Sequence, residues 1–323
     1  MTPSQSPRAA DSPPPAIAIV GAGSIGTAFA VVFAAAGHRV WIHDPSAAQR
    51  DQVRSQVALI CADLRRCGLL QEQPDAVVER IEVCAHLEQA AAGADYVQEC
   101  APEDLELKRE LFAHLDAMTL PEAILASASS AMPASAFAAS LAGASRCLVA
   151  HPGNPPFLLR VIEVVPAPFT AAQTVARAVE LLESVGLSSV VLRREIKGFV
   201  FNRLQGALLR EAYCLVRDGV VDVEAIDRIV RDGLGLRWSV VGPFEAVDLN
   251  TRGGIASHAR KLGPAYAAMG AERGQHDPWT DELVAQVERQ RRELLPLDQW
   301  EQRVRWRDRA LMAVLSARRR FGT

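Results

Sequence analysis

Ala16-Ile17-Ala18-Ile19-Val20-Gly21-Ala22-Gly23-Ser24-Ile25-Gly26-Thr27 opens the long apolar stretch near the start of this 323-residue chain. Five uncharged apolar residues read as a buried strand. The glycines then follow the spacing G-x-G-x-x-G, and Thr27–Ala36, stopped by Gly37, is helical in composition. Between a strand and a helix, the first glycine permits a tight turn and the second lets backbone approach a pyrophosphate. The third lets helix and strand pack closely. Free N–H groups at the helix start, with their partial positive charge, suit phosphate. Arg39–His43 reads as a second strand, and Asp44 ends it 18 residues after Gly26. A carboxylate there accepts from adenosine ribose hydroxyls and repels the extra phosphate of NADP. Gly21, Gly23, Ser24, Ile25, Gly26 and Asp44 are therefore expected to hold NAD. The alternative is a glycine-rich turn with a strand-ending Asp.

No charged side chain occurs from Ser12 to Gly37, a run that could be mistaken for a signal peptide or membrane helix. Pro13–Pro15 open it, three glycines interrupt it, and no basic cluster precedes it, so a strand and a buried helix are expected instead. Residues 1–15 hold five prolines and three serines and read as a disordered tail. Further strands are expected at Arg80–Ala85, Asp95–Cys100, Ile124–Ser127, Arg146–Ala150, Val161–Val165 and Ser189–Leu192. Helical patterns alternate with several of them, which indicates a doubly wound, mostly parallel Rossmann-type sheet of the α/β class. Near Lys197 the pattern changes. Phe201, Leu204, Leu208, Ala212 and Leu215 recur at helical spacing, and no strand series follows. The expected division is 16–194 for the sheet domain and 195–323 for an all-helical domain.

The charge is −3, from 35 Lys plus Arg against 38 Asp plus Glu, which gives no basic face for nucleic acid. The six cysteines form no C-x-x-C pair and have no zinc spacing, so no metal is expected and the thiols read as reduced, in a cytoplasm. Histidine is the usual base for removing a proton from an alcohol. Of the seven histidines, His151 stands out. It ends the apolar run Cys147–Ala150, where ligands gather in open α/β sheets, and opens the proline-rich loop Pro152-Gly153-Asn154-Pro155-Pro156. Twelve residues on, Glu163 lies inside the apolar run Val161–Val165. A carboxylate there is costly to bury unpaired, and a histidine would be a suitable partner. The alternative is a strand-end His and an edge-strand Glu facing water.

His151-Pro152-Gly153-Asn154-Pro155 through Glu163 resembles the H-x-x-N-P…E signature of the 3-hydroxyacyl-CoA dehydrogenase family. Pro102-Glu103-Asp104-Leu105-Glu106-Leu107-Lys108, Gly198-Phe199-Val200-Phe201-Asn202-Arg203-Leu204 and Gly242-Pro243-Phe244-Glu245 resemble further segments of it, in the family's order. The resemblance implies His151 as base, Glu163 as its partner, and Ser130 and Asn202 as groups that position the substrate oxygen. It also implies Glu103, Lys108 and Asn154 as contacts of the cofactor. On the residues alone, Lys108 reads rather as a helix-face charge paired with Glu103 or Asp104.

The chain lacks the G-x-K-x-G-x-G-F-Y-like ending of the acyl-CoA enzymes. The helix-rich stretch after Asp44 holds no lysine, although Arg50, Arg54, Arg65 and Arg66 could replace lysines there. Gly233-Leu234-Gly235-Leu236-Arg237-Trp238 and Asp248-Leu249-Asn250 resemble the lambda-crystallin and L-gulonate 3-dehydrogenase branch. That branch implies NAD-dependent oxidation of a small 3-hydroxy acid such as L-gulonate. It also implies a homodimer joined through the helical domains, with no nucleic-acid or membrane partner. A short-chain 3-hydroxyacyl-CoA is the alternative substrate, and a non-catalytic, NAD-binding structural protein is the rival from another class.

Overall fold

The computed structural model describes residues 14–274 and 280–300, together with 302, 303, 306, 314 and 317. Of the expected tail, residues 1–13 lie outside the described residues. Eight strands form one sheet: β1 Ile17–Val20, β2 Val40–His43, β3 Ile81–Cys84, β4 Tyr96–Glu99, β5 Ile124–Ser127, β6 Cys147–Pro152, β7 Val161–Pro166 and β8 Ser188–Val191. Each falls where the sequence pattern puts a strand, with ends moved by a residue or two. Between and after them run α1 Ser24–Ala35, α2 Ala47–Arg66, α3 Pro74–Glu79, α4 Leu87–Ala91, α5 Leu105–Met118, α6 Ala134–Phe137, α7 Ala172–Ser184 and α8 Phe201–Arg217. The last segment contains α9 Val223–Ile229, α10 Gly235–Trp238, α11 Pro243–Asn250, α12 Gly254–Glu272 and α13 Asp281–Leu294. No strand follows β8 among the described residues.

The strand order is β3-β2-β1-β4-β5-β6-β7-β8. The chain winds outward from β1 in one direction and from β4 in the other. This reversal opens a crevice beyond the carboxyl ends of β1 and β4, where ligands bind in such sheets. β1 and β4 are buried along their whole length, as strands covered on both faces must be. Helix α1 is apolar nearly all round, and Gly26–Ala34 are all buried against the sheet, the packing that such a helix requires. β6 and β7 pair antiparallel, in a register that sets His151 opposite Glu163.

The chain divides into two compact units, Met1–Leu208 and Leu209–Thr323. The division lies inside α8, later than the boundary at 194 expected from sequence. The reason is local: the first turn of α8 is tied to the sheet unit through Glu163 and Ser130. The second unit is helical. Its core joins Val241, Ala246, Leu249 and Leu295, beside a fully buried Asp248 that pairs with Arg292 and accepts from the Ile255 N–H.

Candidate active site

The glycine turn leaves β1 and enters α1 as its spacing requires. Gly21 has φ +105°, and a Cβ there would sit 2.7 Å from the Cys100 carbonyl oxygen. A Cβ on Gly26 would lie 1.8 Å from the Gly21 oxygen, so helix and strand close only with glycine at this position. Gly23 is different. A Cβ there would meet nothing within 4 Å, because Gly23 faces a cavity of about 670 Å³ lined also by Gly21, Ile25, Asp44, Cys100, Ala101, Glu103 and Ser130. Helix α1 has no side-chain cap at its N-terminus, so its first N–H groups remain free for an anion. Asp44 Oδ2 accepts from the Ala22 N–H at 2.8 Å and Oδ1 from the Ser46 N–H at 2.8 Å. The carboxylate therefore fixes the turn while it lines the cavity, and each oxygen keeps a lone pair for a ribose hydroxyl. An uncapped helix start, an open Gly23 and a cavity-lining Asp44 together fit a dinucleotide.

The rim continues after β4 and β5. Glu99, buried at the end of β4, binds the Lys108 Nζ at 2.8 and 2.9 Å and accepts the Ala101 N–H at 2.7 Å. It also accepts from the Ser127 hydroxyl at 2.5 Å. This holds the Cys100–Glu103 loop against the sheet. Glu103 in turn accepts from the Ser129 hydroxyl at 2.9 Å and from the Ser130 N–H. The Asn202 side-chain amide donates to the Ser130 carbonyl oxygen at 2.8 Å.

At the end of β6, His151 is buried, and its Nδ1–H donates to Glu163 Oε2 at 2.8 Å. The other carboxylate oxygen, Oε1, accepts two successive backbone N–H groups, Val200 at 2.7 Å and Phe201 at 3.0 Å. Glu163 thus caps α8 as well as holding the imidazole, and a negative charge suits that positive helix end. Burial pushes the Glu163 carboxyl up. The hydrogen bonds from His151, Phe201 and Val200 outweigh it and hold the group below its ordinary value. With Nδ1 committed, Nε2 is the nitrogen left to exchange a proton.

The model of the 3-hydroxyacyl-CoA dehydrogenase NAD binding domain matches residues 16–196, and that of the 3-hydroxyacyl-CoA dehydrogenase C-terminal domain matches residues 198–294. The chain belongs to the 3-hydroxyacyl-CoA dehydrogenase family. It is an NAD-dependent dehydrogenase of that family, acting on a CH–OH group. It is 33% identical over 309 residues to lambda-crystallin of Oryctolagus cuniculus, covering 94% of this chain and 97% of the relative. It is 40% identical over 265 residues to an L-carnitine dehydrogenase of Streptomyces coelicolor, covering 82% and 80%. Among solved structures, an NAD-dependent 5-formyl-3-hydroxy-2-methylpyridine 4-carboxylic acid 5-dehydrogenase superposes with a TM-score of 0.70 at 28% identity. That match covers 88% of this chain and 97% of the other.

Within this family member, Gly21, Gly23, Ile25, Asp44, Glu103 and Ser130 line one cavity. Ser24 is exposed at the head of α1, and Gly26 packs beneath the turn. His151 and Glu163 form a second group, joined through α8 to Asn202 and Ser130. Lys108 does not reach the cofactor cavity. Only 1% of it is exposed, and its ammonium is spent on Glu99 and the Ala101 carbonyl. A buried ammonium must stay with its carboxylate, so its effect on the cavity runs through that loop. Nor does it pair with Glu103 or Asp104. Asn154 is exposed on the loop after β6 and is not among the residues lining the cavity. Asn202 uses one amide N–H on the Ser130 backbone, leaving a second donor. Sequence reasoning misses Glu99, which ends the half-polar strand Tyr96-Val97-Gln98-Glu99 and so carries a weaker form of the signal that marks Glu163.

Proposed function

We propose that the protein oxidises the 3-hydroxyl of a small 3-hydroxy acid, L-gulonate first, with His151 as the general base. The observation that carries the reading is the buried His151–Glu163 pair at 2.8 Å, which leaves the imidazole Nε2 free. His151 takes the hydroxyl proton at Nε2. Glu163, kept ionised by its three hydrogen bonds, holds the ring in the right tautomer and stabilises the imidazolium. NAD, held by the Gly21–Gly26 turn and Asp44 with Glu103 at the rim, supplies the hydride acceptor. Ser130 and Asn202 fix the substrate oxygen, and the bond from Asn202 to the Ser130 backbone keeps the two in one arrangement.

A small acid rather than a CoA ester is supported by α2, where the acyl-CoA enzymes resembled here carry lysines for the CoA phosphates. Arg50 is bonded to the Asp44 and Pro45 carbonyls, Arg65 to the Gln71 carbonyl and Arg66 to Asp63. Three of its four arginines are thus engaged within the chain. L-carnitine is the second reading, favoured by the similarity to the carnitine dehydrogenase. A short 3-hydroxyacyl-CoA is the third.

A cytoplasmic homodimer joined through the helical unit belongs to the same reading. The dimer is supported by the exposed apolar side chains Tyr213, Val220, Val223, Ile229 and Met269, the kind of surface that protein contacts cover. No described helix is long and apolar enough to cross a membrane.

NADH formation with L-gulonate, L-carnitine and 3-hydroxybutyryl-CoA tests the substrate. The highest kcat/KM on L-gulonate upholds the reading, and preference for the CoA ester overturns it while leaving His151 as base. NAD binding without turnover on any of the three favours a structural role.

A further inference from the structure

Just before α8 the backbone turns through two successive left-handed residues, Gly198 at φ +76° and Phe199 at φ +48°. The first is ordinary for glycine. The second is not, because a left-handed conformation strains a bulky side chain. Phe199 is the one non-glycine residue with positive φ among the described residues. Such an outlier persists only where its surroundings enforce it.

The surroundings are plain. Phe199 is fully buried, in the apolar cluster that also holds Leu192, Val165 and Phe137. Its ring centroid lies 5.7 Å from that of the His151 imidazole, tilted at 50°. Its own N–H donates back to the Ile196 carbonyl at 3.0 Å. The next two N–H groups, of Val200 and Phe201, then point together at Glu163 Oε1. An extended residue at 199 would turn these donors away.

We propose that Phe199 is a positioning residue: its buried ring locks the left-handed turn that aims the Val200 and Phe201 N–H groups at Glu163, and the same ring packs beside His151. One side chain therefore sets both the carboxylate and the imidazole. This rests on the reading of His151 as base. The groups around Glu163 are few. His151 faces it from β6, and the two N–H groups face it from the start of α8. In β8 the register partner is Val190, which carries no charge. Loss of the two donors leaves only the His151 bond to keep the buried carboxylate ionised, so the acidic limb of the activity must move to higher pH.

The test uses the full-length protein with Phe199→Ala, Phe199→Gly and Phe199→Leu. Alanine and glycine leave the same cavity, but glycine enters the left-handed region freely. Phe199→Leu keeps apolar bulk and guards against loss of folding. The readouts are the pH profile of kcat, the KM for substrate and the Kd for NAD. In Phe199→Ala the acidic limb should move up and turnover below neutral pH should fall about tenfold or more, since loss of even one of the two charged hydrogen bonds is worth about a factor of ten. Phe199→Gly should move less, with Phe199→Leu between, and NAD binding should hold in all three. A folded Phe199→Ala or Phe199→Leu with the parent profile overturns the positioning role. If His151→Ala retains turnover, the base reading fails first, and the Phe199 profiles cannot rescue it.

Discussion

His151 and Glu163 are register partners across the β6–β7 pair, the one antiparallel pairing in the sheet among the described residues. Directly opposed residues on antiparallel strands bring their side chains together, so the register itself makes the 2.8 Å contact. Removing the imidazole should leave this frame standing. His151→Ala is expected to lose about 10²–10⁴-fold in kcat, the usual share of a general base, with the Kd for NAD unchanged. Parent-like turnover in the variant would remove His151 from the chemistry.

Glu163 ties acid stability to the same pair. Its carboxyl lies below the ordinary value of 4.5 in the folded chain. A depressed group contributes stability above its unfolded value, and that contribution fades as pH falls through the folded value. Glu163→Gln should therefore be less stable than the parent near neutrality, and the gap should narrow below about pH 4.5. Urea melts across that range give the answer; a gap independent of pH would mean the charge plays no part.

Asp44 serves two ends, the Ala22 N–H and the cavity. Asp44→Ala should weaken NAD binding and relieve the repulsion of the extra phosphate of NADP. The NAD-to-NADP ratio of kcat/KM is expected to fall on the order of tenfold or more, since like charges brought together cost several kcal/mol. An unchanged ratio would show that selectivity lies elsewhere.

Lys108 and Glu99 form an ion pair with at most 1% of either side chain exposed. Lys108→Met strands a buried carboxylate and should cost about 3–5 kcal/mol of stability. The double variant with Glu99→Gln should recover much of that loss, because no charge is then left unpaired. Chemical denaturation of the single and double variants decides it; equal losses in both would refute the coupling.

The strands, the glycine turn and the candidate base were legible in the chain because each rests on local physics. An apolar run reads as a strand, G-x-G-x-x-G reads as a turn that admits a pyrophosphate, and a carboxylate within Val161–Val165 announces a buried partner. The partner of Lys108 was not legible, for the converse reason. Its neighbours in sequence, Glu103 and Asp104, look like partners on a helix face, whereas its actual partner, Glu99, ends the preceding strand. Which carboxylate captures a buried ammonium depends on how helix and sheet pack, and spacing does not record that.

The sequence by itself determined the strands and the dinucleotide turn and marked His151 and Glu163 as candidate partners, since periodicity and the penalty for burying a lone charge act along the chain. Only the tertiary structure decided that Glu163 also caps α8, that Phe199 is held left-handed beneath it, and that Asn202 grips the Ser130 loop. These contacts join segments 37 to 72 residues apart. Their partners are chosen by packing around one buried carboxylate, a choice that exists only once the elements have come together.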